Sequence, residues 1–137
     1  MSTNDCLSGT IRHLLDAGVR PTRHRLALAE LLFDGRERHV SAEMLNVEAR
    51  EHLVSISLAT VYNTLHHFTA AGLLREIVVD SRRGYFDTNT SDHYHFFYED
   101  SLCLVDIPIE ALEIMRLPAT PAGKTIRRVE VVVRVSG

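Results

Sequence analysis

Apolar residues recur at helical spacing through the first seventy positions of the chain and then give way to the alternation of strands. Leu7, Ile11, Leu14 and Leu15 predict a first helix over 7–17, with Gly18 placed to end it and Pro21 to open the next element. Leu26, Ala29, Leu31, Leu32 and Phe33 predict a second over 22–33, closed by Asp34 and Gly35. Ser41 is placed to cap a third running through Met44, Leu45 and Ala49, with Glu43 in the first turn, where a carboxylate is favourable. The fourth runs from Ser57 to Gly72. It buries Leu58, Val61, Leu65 and Phe68 and leaves Ala59, Thr60, Asn63 and His67 free, with Tyr62 on the flank.

Beyond Gly72, LLREIVVDSRRGYFD reads as two short strands joined by a turn over 80–84. Helices followed by a hairpin with arginine at its tip describe a winged helix-turn-helix. TNTS at 88–91 reads as a polar hinge, and HYHFFYE and SLCLVDI as strands. Pro108 opens a short apolar segment, IPIEALEIM, and TIRRVEVVVRV reads as a final strand with Val129, Val131, Val133 and Val135 on one face, set against a core or a partner subunit. The expected fold is α+β: a winged-helix domain over 1–87, the hinge, and a small α/β domain for dimerisation and ligand sensing over 92–137.

Composition narrows the function classes. A length of 137 residues suits two small modules, each with a modest core that a shared dimer interface would support. No apolar run approaches the roughly 18 residues of a membrane span, and the N-terminal residues lack the pattern of a secretion signal, so a cytoplasmic location without membrane contact is expected. The net charge is −3, but residues 1–86 hold ten basic and ten acidic side chains while 87–137 hold five and eight. Any contact with DNA therefore belongs to the first part. There the fourth helix suits the major groove, and Arg20, Arg23, Arg25, Arg82 and Arg83 suit phosphates. The same pattern also describes a helix packed on a partner, with arginines that only solvate the surface.

Histidine is over-represented, with eight in the chain. In a strand His93 and His95 point to one side about 6.5 to 7 Å apart, a spacing that lets both reach one ion. With so many histidines such a pair is weak evidence alone. The two cysteines, Cys6 and Cys103, lie far apart and neither belongs to a Cys-x-x-Cys pair, so no thiolate zinc site is expected within one chain.

The segment SLATVYNTLHHFTAAGLLRE resembles the recognition helix and wing start of the ferric uptake regulator (Fur) family. The resemblance extends through GVRPTRHRLALAELL, HVSAEML and FDTNTSDHYHFFYEDSLCL, covering most of residues 11–106. It implies base contacts by Tyr62 and approaches to bases or backbone by Arg20, Arg25, Ser57 and Thr60, with Asn63 standing where many members carry Arg. It also implies a regulatory metal site made by His39 and Asp87 of the first domain with His93 and His95 of the second, a donor set suited to Fe(II), Mn(II) or Zn(II).

Against the family pattern, Cys103 stands where the first structural-zinc cysteine falls and Asp106 replaces the second, so no cysteine-based structural zinc is expected. Asp92 and Tyr94 replace the family's His and Asp at a second histidine-rich site. What remains is most similar to the iron response regulator (Irr) branch, which implies haem as an effector, bound through His93 and His95. Cys6 is followed by Leu7 rather than proline, so haem is not expected there. The resulting expectation is a homodimeric regulator of iron or haem homeostasis, not an enzyme, that binds double-stranded promoter DNA. Two alternatives stay open at this point: a metal-dependent enzyme using Asp87, His93 and His95, and a haem-binding protein that does not bind DNA.

Overall fold

Three of the helices begin on a hydroxyl side chain. In the computed structural model, which describes residues 3–137 and side chains from residue 8, these are α2 (Arg23–Leu32), α3 (Ala42–Glu51) and α4 (Leu58–Ala70), after α1 (Thr3–Asp16). Thr22, Ser41 and Ser57 each accept the backbone N–H three residues on, which satisfies a donor that the first turn leaves without a partner. Gly18 and Gly72 follow α1 and α4 at φ +77° and +82°, the left-handed conformation that lets a chain leave a helix.

The chain divides into two compact units, one ending at Thr90 and the other running Ser91–Gly137. In the first, Leu14, Leu28, Leu32, Leu45, Val61, Leu65 and Phe68 are fully buried together with Val40 and Phe86. Truncating any of these leucines to alanine costs about 2 to 5 kcal/mol. The buried stripe of α4 is Val61, Thr64, Leu65 and Phe68, not the expected set with Leu58, which is 39% exposed. Leu58 opens the helix, one turn ahead of the packed face, and Thr64 completes the i, i+3, i+4, i+7 stripe.

Beside the helices lies a three-stranded antiparallel sheet of β1 (His39–Val40), β2 (Arg75–Val78) and β3 (Gly84–Asp87), in the order β1-β3-β2. β3 is central, so Asp87 has His39 opposite it on one side and Arg75 on the other. The expected hinge at 88–91 begins with residues that this unit holds. Thr88 N donates to the Arg38 carbonyl (3.0 Å), and Asn89 N donates to Asp87 Oδ1 (2.8 Å).

The second unit is a sheet of β4 (Tyr94–Tyr98), β5 (Cys103–Ile107) and β6 (Val132–Val135), with β4 central, antiparallel to β5 and parallel to β6. Phe97, Leu104 and Ile107 are its buried apolar residues. The long final strand expected over 125–135 is corrected to the four residues of β6, because β4 offers only a short edge for pairing. Val129, Val131, Val133 and Val135 are half-buried. IPIEALEIM likewise forms only one 3-10 turn, Ile109–Ala111. Both units together make the α+β class. Among the described residues, no helix is long and apolar enough to cross a membrane.

Candidate metal donors and reading helix

In the first unit, His39 Nε2 lies 3.1 Å from Asp87 Oδ2, and Asp87 is fully buried. Cross-strand partners project from the same sheet face, so His39, Asp87 and the buried Arg75 form one row across it. Arg38, which precedes His39 in the chain, is itself tied down. Its guanidinium meets Glu48 of α3 through two bonds of 3.0 and 2.6 Å and donates to the Leu31 carbonyl at 2.8 Å, while its backbone N–H donates to Thr88 Oγ1 at 2.9 Å. A partly buried, bidentate pair of this kind is worth more than an exposed one and fixes direction as well.

In the second unit, His93 and His95 are 6% and 3% exposed, with ring centroids 4.5 Å apart. Their Nε2 atoms lie 3.3 and 3.5 Å from Asp106 Oδ1. Two ligands bound about 2.0 to 2.1 Å from one ion at tetrahedral angles stand about 3.3 Å apart, so these spacings are those of a shared ion as well as of a hydrogen bond. His93 Nδ1 is 2.7 Å from the Ser91 carbonyl, which can only accept, so Nδ1 carries the proton. His93 Nε2 is thereby directed at a carboxylate oxygen. A proton or a metal ion between the two satisfies that spacing, and the donor types suit a divalent metal.

In the sequence Asp106 is legible only as a replaced cysteine. It is instead the register partner of His95 across β4 and β5, which puts the two side chains on one face. The signal was an acidic residue inside the apolar strand CLVDI. Cys103 is exposed and free, three positions away. The side chain of Cys6, where no haem is expected, lies outside the described residues.

The residues expected to meet DNA all lie in the first unit. Ser57 and Thr60 are engaged with each other: Ser57 Oγ accepts the Thr60 N–H at 3.1 Å, and the two hydroxyls are 2.8 Å apart. Their role in the structure is to cap α4. Asn63 is exposed on the helix face. Arg25 donates to the Arg20 carbonyl at 3.1 Å and reaches His67 Nδ1 at 3.4 Å, so the segment before α2 is tied to α4. Arg82 and Arg83 are exposed in the wing turn, where Asp80 Oδ1 accepts the Arg82 N–H at 2.8 Å.

Tyr62, 36% exposed, donates its hydroxyl to Glu43 Oε1 at 2.7 Å. That bond to the carboxylate holds the Tyr62 hydroxyl above the usual tyrosine pKa, with burial and the Glu43 charge acting in the same direction. Glu43 is legible in the sequence only as a favourable first-turn carboxylate, and its tie to α4 is not.

The model of the ferric uptake regulator family matches residues 16–126. A peroxide operon regulator of Bacillus subtilis (strain 168) is 33% identical over 118 residues, which cover 85% of this chain and 81% of that protein. Among solved structures, the Vibrio cholerae ferric uptake regulator aligns with a TM-score of 0.71 at 21% identity, covering 93% of this chain and 98% of the other. The ferric uptake regulator of Pseudomonas aeruginosa with manganese aligns with a TM-score of 0.66 at 23% identity, covering 92% and 96%. At these identities the solved structures speak to the fold.

Proposed function

The chain belongs to the ferric uptake regulator family, and from that premise we propose that it is a cytoplasmic, homodimeric transcription regulator whose hold on promoter DNA depends on a divalent metal ion. Membership sets aside the enzyme built on Asp87, His93 and His95, because the family is one of regulators. In this reading α4 enters the major groove with Tyr62 and Asn63, near its capped start at Ser57 and Thr60. Arg20, Arg25, Arg82 and Arg83 neutralise phosphates.

The observation that carries the metal dependence is the hydrogen bond from His93 Nδ1 to Ser91, which leaves Nε2 facing Asp106 as a metal-binding tautomer. His39 and Asp87 of the first unit, with His93, His95 and Asp106 of the second, are the donors assigned to the ion. A bound Mn(II), Fe(II) or Zn(II) supplies positive charge and fixed bond directions to nitrogen and oxygen donors of this kind.

The iron response regulator reading adds haem at His93 and His95. The donor arrangement favours an ion: both imidazoles are nearly inaccessible and turned to one carboxylate, so a macrocycle needs the site opened first. Dimerisation is supported by exposed apolar side chains of the second unit, among them Val105, Ile109 and Leu117, which a second copy would cover.

The test is fluorescence anisotropy of labelled promoter duplexes with the full chain, titrated in turn with manganese(II), anaerobic iron(II), zinc(II) and haemin, alongside sedimentation of the protein. The expected result is a dimer whose DNA affinity changes at least tenfold with one of the ions. Affinity indifferent to every ion would refute metal control, and control by haemin alone would replace the ion with haem.

A further inference from the structure

Tyr62 and Glu43 sit on different helices, nineteen positions apart, and meet in a 2.7 Å hydrogen bond. The tyrosine ring is also held on its other side. It stacks on His66 at 6.3 Å and 17°, while His66 meets Phe86 edge-on at 5.4 Å and has Nδ1 3.7 Å from Glu76 Oε2. Tyr62 is therefore oriented from both ends within the first unit alone.

A phenol carries one hydroxyl proton and can otherwise only accept. An oxygen-to-oxygen bond of this length to a carboxylate is of the strong, charge-assisted kind, so that proton is committed to Glu43. What the pair offers outward is acceptor capacity only: the remaining lone pair of the phenol oxygen and the other carboxylate lone pairs. In the major groove, adenine N6 and cytosine N4 are amino donors, whereas guanine N7 and O6 and thymine O4 are acceptors.

We infer that Glu43 is a specificity-determining residue. By holding the hydroxyl proton of Tyr62 it makes the pair an acceptor-only reader, matched to amino bases (adenine, cytosine) and mismatched to keto bases (guanine, thymine) at one position of the operator. The inference rests on the reading of α4 as the groove helix. It adds a direction that the polar face of α4 alone does not carry: the discrimination comes from a residue of α3, acting through the tyrosine. Glu43 has a second effect of the same sign, since its negative charge disfavours approach to phosphates and so penalises DNA that offers no matching donor.

The experiment uses the full chain with manganese(II) to enrich binders from a random duplex pool. Affinity for the enriched site is then measured with every base pair replaced in turn. Wild type is expected to prefer an amino base over a keto base at one position by about tenfold or more. Tyr62→Phe and Glu43→Ala are each expected to shrink that preference to below about threefold, with the double variant no worse than either single one. Glu43→Gln keeps the part of the preference that the tyrosine oxygen carries, because its amide oxygen still accepts the hydroxyl proton, and loses the part carried by the second carboxylate oxygen, which an NH2 donor replaces; a role in packing alone would not distinguish Glu43→Gln from Glu43→Ala in this way.

Full preference retained in Glu43→Ala, or a keto base preferred at the position that Tyr62→Phe abolishes, overturns the inference while leaving the regulator reading standing. A wild-type chain that enriches no sequence overturns that reading and the inference with it. Should thermal melting show Glu43→Ala unfolded, Tyr62→Phe set against Glu43→Gln decides the matter by the same criterion.

Discussion

Arg75 stands directly across from Asp87 in the ladder of β2 and β3, and both are buried, so a guanidinium and a carboxylate project from one sheet face with His39 flanking the carboxylate on the far side. A buried carboxylate needs positive charge near it, and the register sets the buried Arg75 on the same sheet face as Asp87. The same charge opposes a divalent ion arriving at Asp87.

Arg75→Met therefore separates two effects. Stability of the ion-free protein is expected to fall by about 3 kcal/mol, because the buried carboxylate loses the cation that the register sets on its sheet face. Affinity for manganese(II) rises, because the ion no longer shares Asp87 with a cation. Urea denaturation in chelator and calorimetric titration measure the two, and a loss of affinity would contradict the assignment.

Asp106→Asn keeps the shape of the side chain and removes its charge. Manganese(II) or zinc(II) affinity is expected to drop at least about tenfold, with the far-ultraviolet dichroism unchanged. Unaltered affinity in the same titration would remove Asp106 from the donor set and return it to an ordinary strand position.

The pair His93→Ala with His95→Ala leaves DNA binding of the ion-free protein as it is and abolishes its response to added ion or haemin. Anisotropy titrations at fixed protein concentration report both. A double variant that responds like wild type places the effector elsewhere.

Arg82→Ala weakens binding to specific and random duplexes alike, and the slope of log affinity against log salt falls by about one. A change confined to one base pair would mean that the wing reads sequence. A mild loss of all binding with the slope intact would mean that Arg82 acts through the turn it forms with Asp80.

Much of the helical part was legible because its punctuation is chemical. Ser41 and Ser57 announce helix starts, Gly18 and Gly72 announce ends, and Val61, Leu65 and Phe68 mark the buried side of α4. The two-residue strand β1 was not legible, since His39 and Val40 carry no periodicity and owe their conformation to pairing with β3. The final strand is shorter than its sequence suggests for the matching reason: alternation of valines shows that a segment fits a strand, but only the free edge of β4 decides that Val132–Val135 pair.

His39, Asp87, His93 and His95 could be named from the resemblance. Asp106 could not, since its part depends on lying opposite His95 across two strands. The tie between Glu43 and Tyr62 was hidden for a similar reason, because it crosses from one helix to another.

Asp87 occupies the middle strand of its sheet with no access to water, and that position has a metabolic side. An ion held there stabilises the folded form by an amount that grows with its free concentration, about 1.4 kcal/mol for each tenfold excess. Cells short of the ion would then carry a softer protein that cellular proteases remove faster, so that nutrient supply governs the abundance of the molecule as well as its grip on a promoter.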